Sequence, residues 1–344
     1  MHTELLQSDD ASIQKAADCI KKGGLVAFPT ETVYGLGANG LDPAAVKAIF
    51  AAKQRPADNP LILHISSLEE AEPLCFLTEN AKILAQAFWP GPLTMLLKKK
   101  SIVPDAATAG LKTVAIRMPS SPVASKFIRA CKLPIAAPSA NRSGKPSPTT
   151  AKHVLDDMDG RIDFIIDGGP CEVGVESTVV DMTGAVPTIY RPGAVTPEQI
   201  SMVLGECKVS EAVMKDVQKG DYAPSPGMRH KHYAPKAEML LISGSPQKTA
   251  EYIKRIYHDG DYILAMQGNI HLYGGYPAAS LGEDAKQAAH RLFYLLREAD
   301  KAGVKRILSE TLPYDGLGLA VMNRLARAAA FHIVNADGEN TTLK

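Results

Sequence analysis

The sequence lacks several features that would each mark a class of protein. Nowhere does it hold the ~18 consecutive apolar residues of a membrane span, and its start, MHTELLQSDDASIQKAADCIKKGG, has no apolar core of a secretory leader. A soluble, cytoplasmic protein with no membrane partner is expected. Cysteine is sparse: Cys19, Cys75, Cys131, Cys171 and Cys207 are scattered without a CxxC pair, and an odd count closes no self-contained disulfide framework. Neither charge sign dominates, since 38 Lys and Arg stand against 37 Asp and Glu, for a net charge of +1. That balance gives no broad field to hold nucleic acid, so any anion site must be local. There is no internal repeat, no Walker A spacing, no nucleophile elbow and no Ser-His-Asp order.

What is present is enough apolar material, 45% of 344 residues, to bury a sizeable core, and the length favours two domains. Apolar runs rich in β-branched residues alternate with helical periodicity, which predicts an α/β architecture. Leu25 to Phe28 reads as a buried strand ended by Pro29, and Asp42-Pro43 supplies an N-cap and first-turn proline for a helix that must stop near Lys53–Arg55, before Pro56. Further strands are expected at Leu93–Leu97, Thr113–Met118, Ile135–Ala137, Phe164–Asp167, Thr178–Met182 and Thr188–Arg191, with a helix at Pro197–Leu204. Ala223 to Gly227 is rich in proline and looks like a linker. The expected division is residues 1–206, a linker at 207–235, and a second domain at 236–344. In that second part, strands at Met239–Ile242, Tyr262–Met266 and Arg306–Ser309 alternate with helices at Gln247–Tyr257, Asp284–Ala302 and Leu319–Ala330, which favours a small, mostly parallel, Rossmann-like domain.

Gly35-Leu36-Gly37-Ala38-Asn39-Gly40 is a literal G-x-G-x-x-G, but Pro29 to Tyr34 separate it from the preceding strand and the helix starts only at Asp42-Pro43. It reads as a turn-rich loop rather than a dinucleotide fingerprint. Lys53 and Arg55, placed where a helix stops and a proline-stiffened loop begins, can hold polyphosphate through charge-assisted hydrogen bonds, or can merely complement the helix dipole. Ala137 to Thr149, with Ser139, Asn141 and Ser147, offers many hydroxyl and amide donors directly after a strand, as phosphate or adenosine binding requires; an ordinary polar connection is the alternative. Arg117 and Arg191 end apolar strands near prolines, where α/β sheets place ligands, although a single strand-end arginine is more often solvated. Glu31-Thr32 and Glu176-Ser177-Thr178 add carboxylates and hydroxyls. His230-Lys231-His232 has an H-x-H spacing, but no nearby Cys, Asp or Glu completes a metal site. His290 reads as a helix-surface residue.

Lys53-x-Arg55-Pro56 with Asn59-Pro60-Leu61, Thr113 to Pro119, Ala137 to Asn141 and Arg191-Pro192-Gly193 together closely resemble the YrdC-like domain, the ordered set being more specific than any member. With Ser225 to Pro235 and a following α/β domain, essentially the whole chain is similar to the two-domain form of the threonylcarbamoyl-AMP synthase family. The resemblance implies a twisted mixed-sheet domain with a basic cavity, plus the Rossmann-like domain. It implies that Lys53 and Arg55 meet the phosphates as catalytic cations, and that Asn59, Thr113, Ser139, Asn141, Ser147, Arg191 and His230 surround ATP. Thr32, His64, Arg117, the Ala137 backbone and Ser177 would surround threonine, with Arg117 on its carboxylate. It further implies ATP with Mg2+, L-threonine, bicarbonate or CO2 as ligands, and tRNA or a tRNA-modifying transferase complex as partner. Two other readings are a non-catalytic RNA-binding module and the carbamoyl-adenylate chemistry of hydrogenase-maturation carbamoyltransferases, whose zinc-finger and acylphosphatase-like modules have no counterpart in this sequence.

Overall fold

The computed structural model describes residues 2–215 and 233–338, and these fall into two compact units, one holding residues 2–143 and 147–213 and the other residues 144–146, 214–215 and 233–338. In the first, the strands are β1 (Glu4–Gln7), β2 (Val26–Phe28), β3 (Gly35–Asn39), β4 (Ile62–His64), β5 (Leu93–Lys98), β6 (Thr113–Arg117), β7 (Ile135–Ala136), β8 (Phe164–Asp167), β9 (Thr178–Asp181), β10 (Thr188–Arg191) and β11 (Lys208–Val209). The helices are α1 (Asp10–Lys21), α2 (Pro43–Lys53), α3 (Glu79–Phe88), α4 (Asp105–Thr108), α5 (Pro122–Cys131), α6 (Ala151–Met158) and α7 (Pro197–Leu204). The strands join in one mixed sheet in the order β1-β8-β2-β3-β7-β4-β6-β5-β9-β10-β11. Residues 208–209, expected in the linker, pair in parallel with β10.

Helix starts follow local chemistry. The Asp42 carboxylate accepts from the Ala44 backbone N at 2.8 Å and Pro43 opens α2, while Thr196 and Gln199 form a reciprocal capping box at α7. One face of the sheet, with Leu36, Leu63, Met95, Val114 and Ile116, packs against Val46, Ile49 and Phe50 of α2 and Leu84 of α3. A second core joins Ile13 and Ile20 of α1 and Phe127 of α5 to Val26, Phe28 and Ile166. Successive strand residues face opposite ways. Because Val114 and Ile116 fill the main core, Thr113, Ala115 and Arg117 point to the other side, where Ala115 meets only a small cluster with Ile62, Leu96 and Val179.

One expectation fails outright. Gly35 to Asn39 is not a turn-rich loop but the buried strand β3, antiparallel to both β2 and β7. The glycines serve close packing: a Cβ on Gly37 would stand 2.9 Å from Ile135 Cγ2 and 3.2 Å from the Val26 carbonyl oxygen, and one on Gly40 would stand 2.8 Å from the Pro134 carbonyl oxygen.

In the second unit, β12 (Glu238–Ser243), β13 (Asp261–Met266), β14 (Ala278–Gly282), β15 (Arg306–Glu310) and β16 (Ile333–Asn335) form a sheet ordered β14-β13-β15-β12-β16, parallel at every pairing. Helices α8 (Pro246–Ile256), α9 (Ala285–Lys301) and α10 (Gly316–Ala328) connect them, as the Rossmann-like expectation requires. His290 is exposed on α9. No described helix is long and apolar enough to cross a membrane.

Candidate functional site

Strand register sets a row of side chains across the first unit's sheet. His64 on β4 stands beside Arg117 on β6, Arg117 beside Thr94 on β5, Thr94 beside Val179 on β9, and Val179 beside Arg191 on β10. Directly paired residues project from the same face, so His64, Arg117, Thr94 and Arg191 share one side. Both arginines are buried rather than solvated, at 3% and 7% exposure. Arg117 Nη2 donates to Glu31 Oε1 at 2.7 Å and its Nε to the Gly91 carbonyl at 3.4 Å, while the backbone N of Ser120 donates to Glu31 Oε2 at 3.2 Å. Arg191 donates through Nη2 to Ser177 Oγ at 3.1 Å and through Nε to the Ser177 carbonyl at 3.0 Å. Ser177 Oγ also shares a 2.8 Å hydrogen bond with Thr94 Oγ1.

Burial and then the positive charges of Arg117 and Arg191 push the His64 imidazole down to about 3, so it is neutral at ordinary pH. Its buried Nδ1 has no hydrogen-bond partner among the described residues, and Phe28 packs edge-on at 6.1 Å. Nearby in the chain, the Thr32 and Thr30 hydroxyls share a 2.8 Å bond and Thr30 donates to the Val33 carbonyl at 2.7 Å. Backbone N–H groups of Val173 and Gly174 donate to the Glu31 and Thr32 carbonyls at 2.8 and 3.1 Å, which fixes this turn in place.

The segment after β7 is organised by Lys53. At the end of α2, Lys53 is 1% exposed and its ammonium donates to the carbonyls of Ser139 and Asn141. Ser139 Oγ donates to Asn141 Oδ1 at 2.6 Å, and Asn141 Nδ2 to the Arg142 carbonyl at 2.9 Å. Lys53 therefore does more than complement the α2 dipole, because its ammonium holds the Ser139 and Asn141 carbonyls. Arg55 is half-buried, with Nη2 near the carbonyls of Asn59 at 3.5 Å and Pro60 at 3.4 Å; the buried Asn59 Nδ2 has no partner among the described residues. Ser147 donates to the buried Glu176 carboxylate, and the Ala137 backbone N donates to the Ile62 carbonyl at 2.9 Å.

Thr113 lies apart from these networks, four residues before Arg117 on the same face of β6, in a groove of about 600 Å³ with Lys98, Lys99, Lys100 and Lys112. His230 and Arg229 lie outside the described residues. Tyr233 is buried in the second unit, stacked on Phe293 at 5.3 Å with the Arg324 guanidinium 5.7 Å from its ring centre. Sequence reasoning missed Thr94, although its place one step inside β5 and opposite the expected Arg117 strand carried the signal. It also left Glu31 and Glu176 without partners. Chemically, the row and its hydrogen-bond partners offer cations, hydroxyls and the buried Glu31 carboxylate but no activated nucleophile, and among the described residues no group of three or more His, Cys, Asp or Glu gathers to hold a metal.

Two family models match the chain: Sua5/YciO/YrdC, described as telomere recombination, over residues 18–193, and "Threonylcarbamoyl-AMP synthase, C-terminal domain" over residues 195–330. A threonylcarbamoyl-AMP synthase of Pyrococcus abyssi is 48% identical over 335 residues, covering 95% of this chain and 96% of that one. One from Bacillus subtilis is 45% identical over 341 residues, covering 96% and 97%. The crystal structure of P. abyssi Sua5 complexed with L-threonine superposes with a TM-score of 0.90 at 46% identity, covering 97% of this chain and 99% of that one.

Proposed function

The chain belongs to the threonylcarbamoyl-AMP synthase family, and on that premise we propose that it is a nucleotidyltransferase that makes threonylcarbamoyl-AMP and pyrophosphate from L-threonine, bicarbonate or CO2, and ATP. The single observation that carries this reading is the row of buried cations and hydroxyls, with no nucleophile among them, on one sheet face. Such chemistry needs none. The threonine amine takes up carbon dioxide or bicarbonate, the resulting carbamate oxygen attacks the α-phosphorus of ATP, and pyrophosphate leaves; alignment and stabilisation of developing charge account for the rate.

In this reading Arg117 meets the threonine carboxylate, while Thr32, Ser177, neutral His64 and the Ala137 backbone enclose the rest. The unpartnered His64 Nδ1 supports that role, because a buried polar atom without a partner costs about 1–3 kcal/mol unless a ligand completes it. Arg55, Asn59, Ser139, Asn141, Ser147, Thr113, Arg191 and His230 serve ATP, and the orphaned Asn59 Nδ2 likewise favours a ligand. Lys53 acts catalytically by fixing the Ser139–Asn141 backbone beside the phosphates as well as by its charge. Magnesium fits as a companion of the triphosphate, since Glu31 and Glu176 are engaged by Arg117 and Ser147 and the described residues gather no cage of three or more carboxylates, histidines or cysteines. The product would serve tRNA threonylcarbamoyladenosine modification in the cytoplasm, handed to tRNA or a tRNA-modifying transferase complex. Purified protein with MgATP should release pyrophosphate only when threonine and bicarbonate are both supplied; release that ignores threonine would overturn the reading.

A further inference from the structure

We propose that Glu31 is the partner of the substrate's ammonium group, so that Arg117 and Glu31 together form a clamp selective for an α-amino acid zwitterion. The inference rests on the reading that this face binds threonine. A free amino acid carries both charges on substituents of one carbon, so a site that recognises both needs a cation and an anion as close neighbours. Arg117 Nη2 and Glu31 Oε1 stand 2.7 Å apart with side chains only 4% and 6% exposed.

Stability is a poor reason for such a pair. Desolvating two charges offsets most of their attraction, and packed apolar residues of similar volume often do as well. Recognition is a better one. A guanidinium has five N–H donors, and the described contacts engage Nη2 with Glu31 and Nε with Gly91, which leaves donors for a carboxylate. Each Glu31 oxygen accepts one described hydrogen bond, from Arg117 and from the Ser120 backbone, and a carboxylate oxygen has capacity for a second. The Val173 and Gly174 N–H groups hold the Glu31–Thr32 backbone, so the carboxylate is oriented before any ligand arrives.

The neutral pair accepts a neutral zwitterion with no change of net charge in a buried place. A simple anion would meet Arg117 but also lie against Glu31, and that repulsion selects against it. Glu176, another buried carboxylate of this unit, accepts from Ser147, and His64 is uncharged. Glu31 is therefore the charge beside Arg117.

The test compares L-threonine with (R)-3-hydroxybutyrate, the same molecule without its amine, by calorimetric titration of the full chain. Wild type should prefer threonine. In Glu31→Gln, threonine affinity should fall by about tenfold or more, while 3-hydroxybutyrate affinity should hold or rise, because Arg117 loses its internal counter-charge. A purely structural role would weaken both ligands together. Parallel loss, or unchanged threonine binding, overturns the clamp. Retained ATP binding reports that the variant is folded; if it is not folded, Glu31→Asp decides, since it keeps the charge and should keep the preference for threonine, and loss of that preference overturns the clamp. Absence of threonine binding by wild type would instead sink the substrate reading itself.

Discussion

Lys53 and Arg55 stand two residues apart, yet their surroundings give them different risks. Lys53 is fully buried and its ammonium props up the Ser139–Asn141 backbone, so Lys53→Ala should cost both activity and stability. Arg55 is only half-buried in the loop after α2. Arg55→Ala is expected to lower pyrophosphate release by about a hundredfold or more while leaving the thermal midpoint nearly unchanged; wild-type turnover in that variant would remove Arg55 from the site. His64 offers a second check. Its folded pKa of about 3 lies below the 6.5 of an exposed histidine, so the unfolded chain binds an extra proton between those values. The His64 contribution is fully present above about pH 6.5 and is lost as pH falls toward 3, with a limiting slope near 1.4 kcal/mol per pH unit. Denaturant titrations of His64→Gln should show an acid dependence shallower by up to that slope, and an NMR titration placing the wild-type imidazole near 6.5 would contradict it.

At the scale of elements, most of the fold was legible because local signals agreed with the outcome. Phe164–Asp167, Thr188–Arg191 and Pro197–Leu204 form with the expected ends, and α2 begins where Asp42-Pro43 demanded. What was not legible depended on distant partners. β3 reads as a loop because glycine is a poor strand former, and only the closeness of Phe28, Val26 and Ile135 explains why nothing larger fits. Gly37→Val should therefore destabilise the chain by about 1–3 kcal/mol in equilibrium unfolding, and a neutral result would contradict the close approach. Lys132 ends α5 with φ at 55°, a left-handed position where glycine is at ease. Lys132→Gly should stabilise by about 0.5–1 kcal/mol in the same measurement. The site was legible in the same uneven way: Lys53, Arg117 and Arg191 announce themselves by strand and helix ends, whereas the Thr94–Ser177 and Glu31–Arg117 contacts arise from register across the sheet.

On the scale of the whole molecule, a near-neutral chain gathers its charge locally, and its five cysteines form no disulfide. All five are free thiols, and burial pushes Cys75 and Cys131 up to about 12 and Cys207 to about 11. Thiolate is scarce at neutral pH, so native protein should take up far less iodoacetamide than unfolded protein, and reductant should not shift its thermal midpoint. The two units share the family's full length with relatives across 95% or more of the chain, which supports one activity for the intact protein. That activity is tested most directly by mass spectrometry of a reaction containing MgATP, L-threonine and 13C-bicarbonate. One labelled carbon should appear in a product joining threonine to AMP, formed in equal amount with pyrophosphate; pyrophosphate accumulating with no labelled threonine adduct would contradict the account.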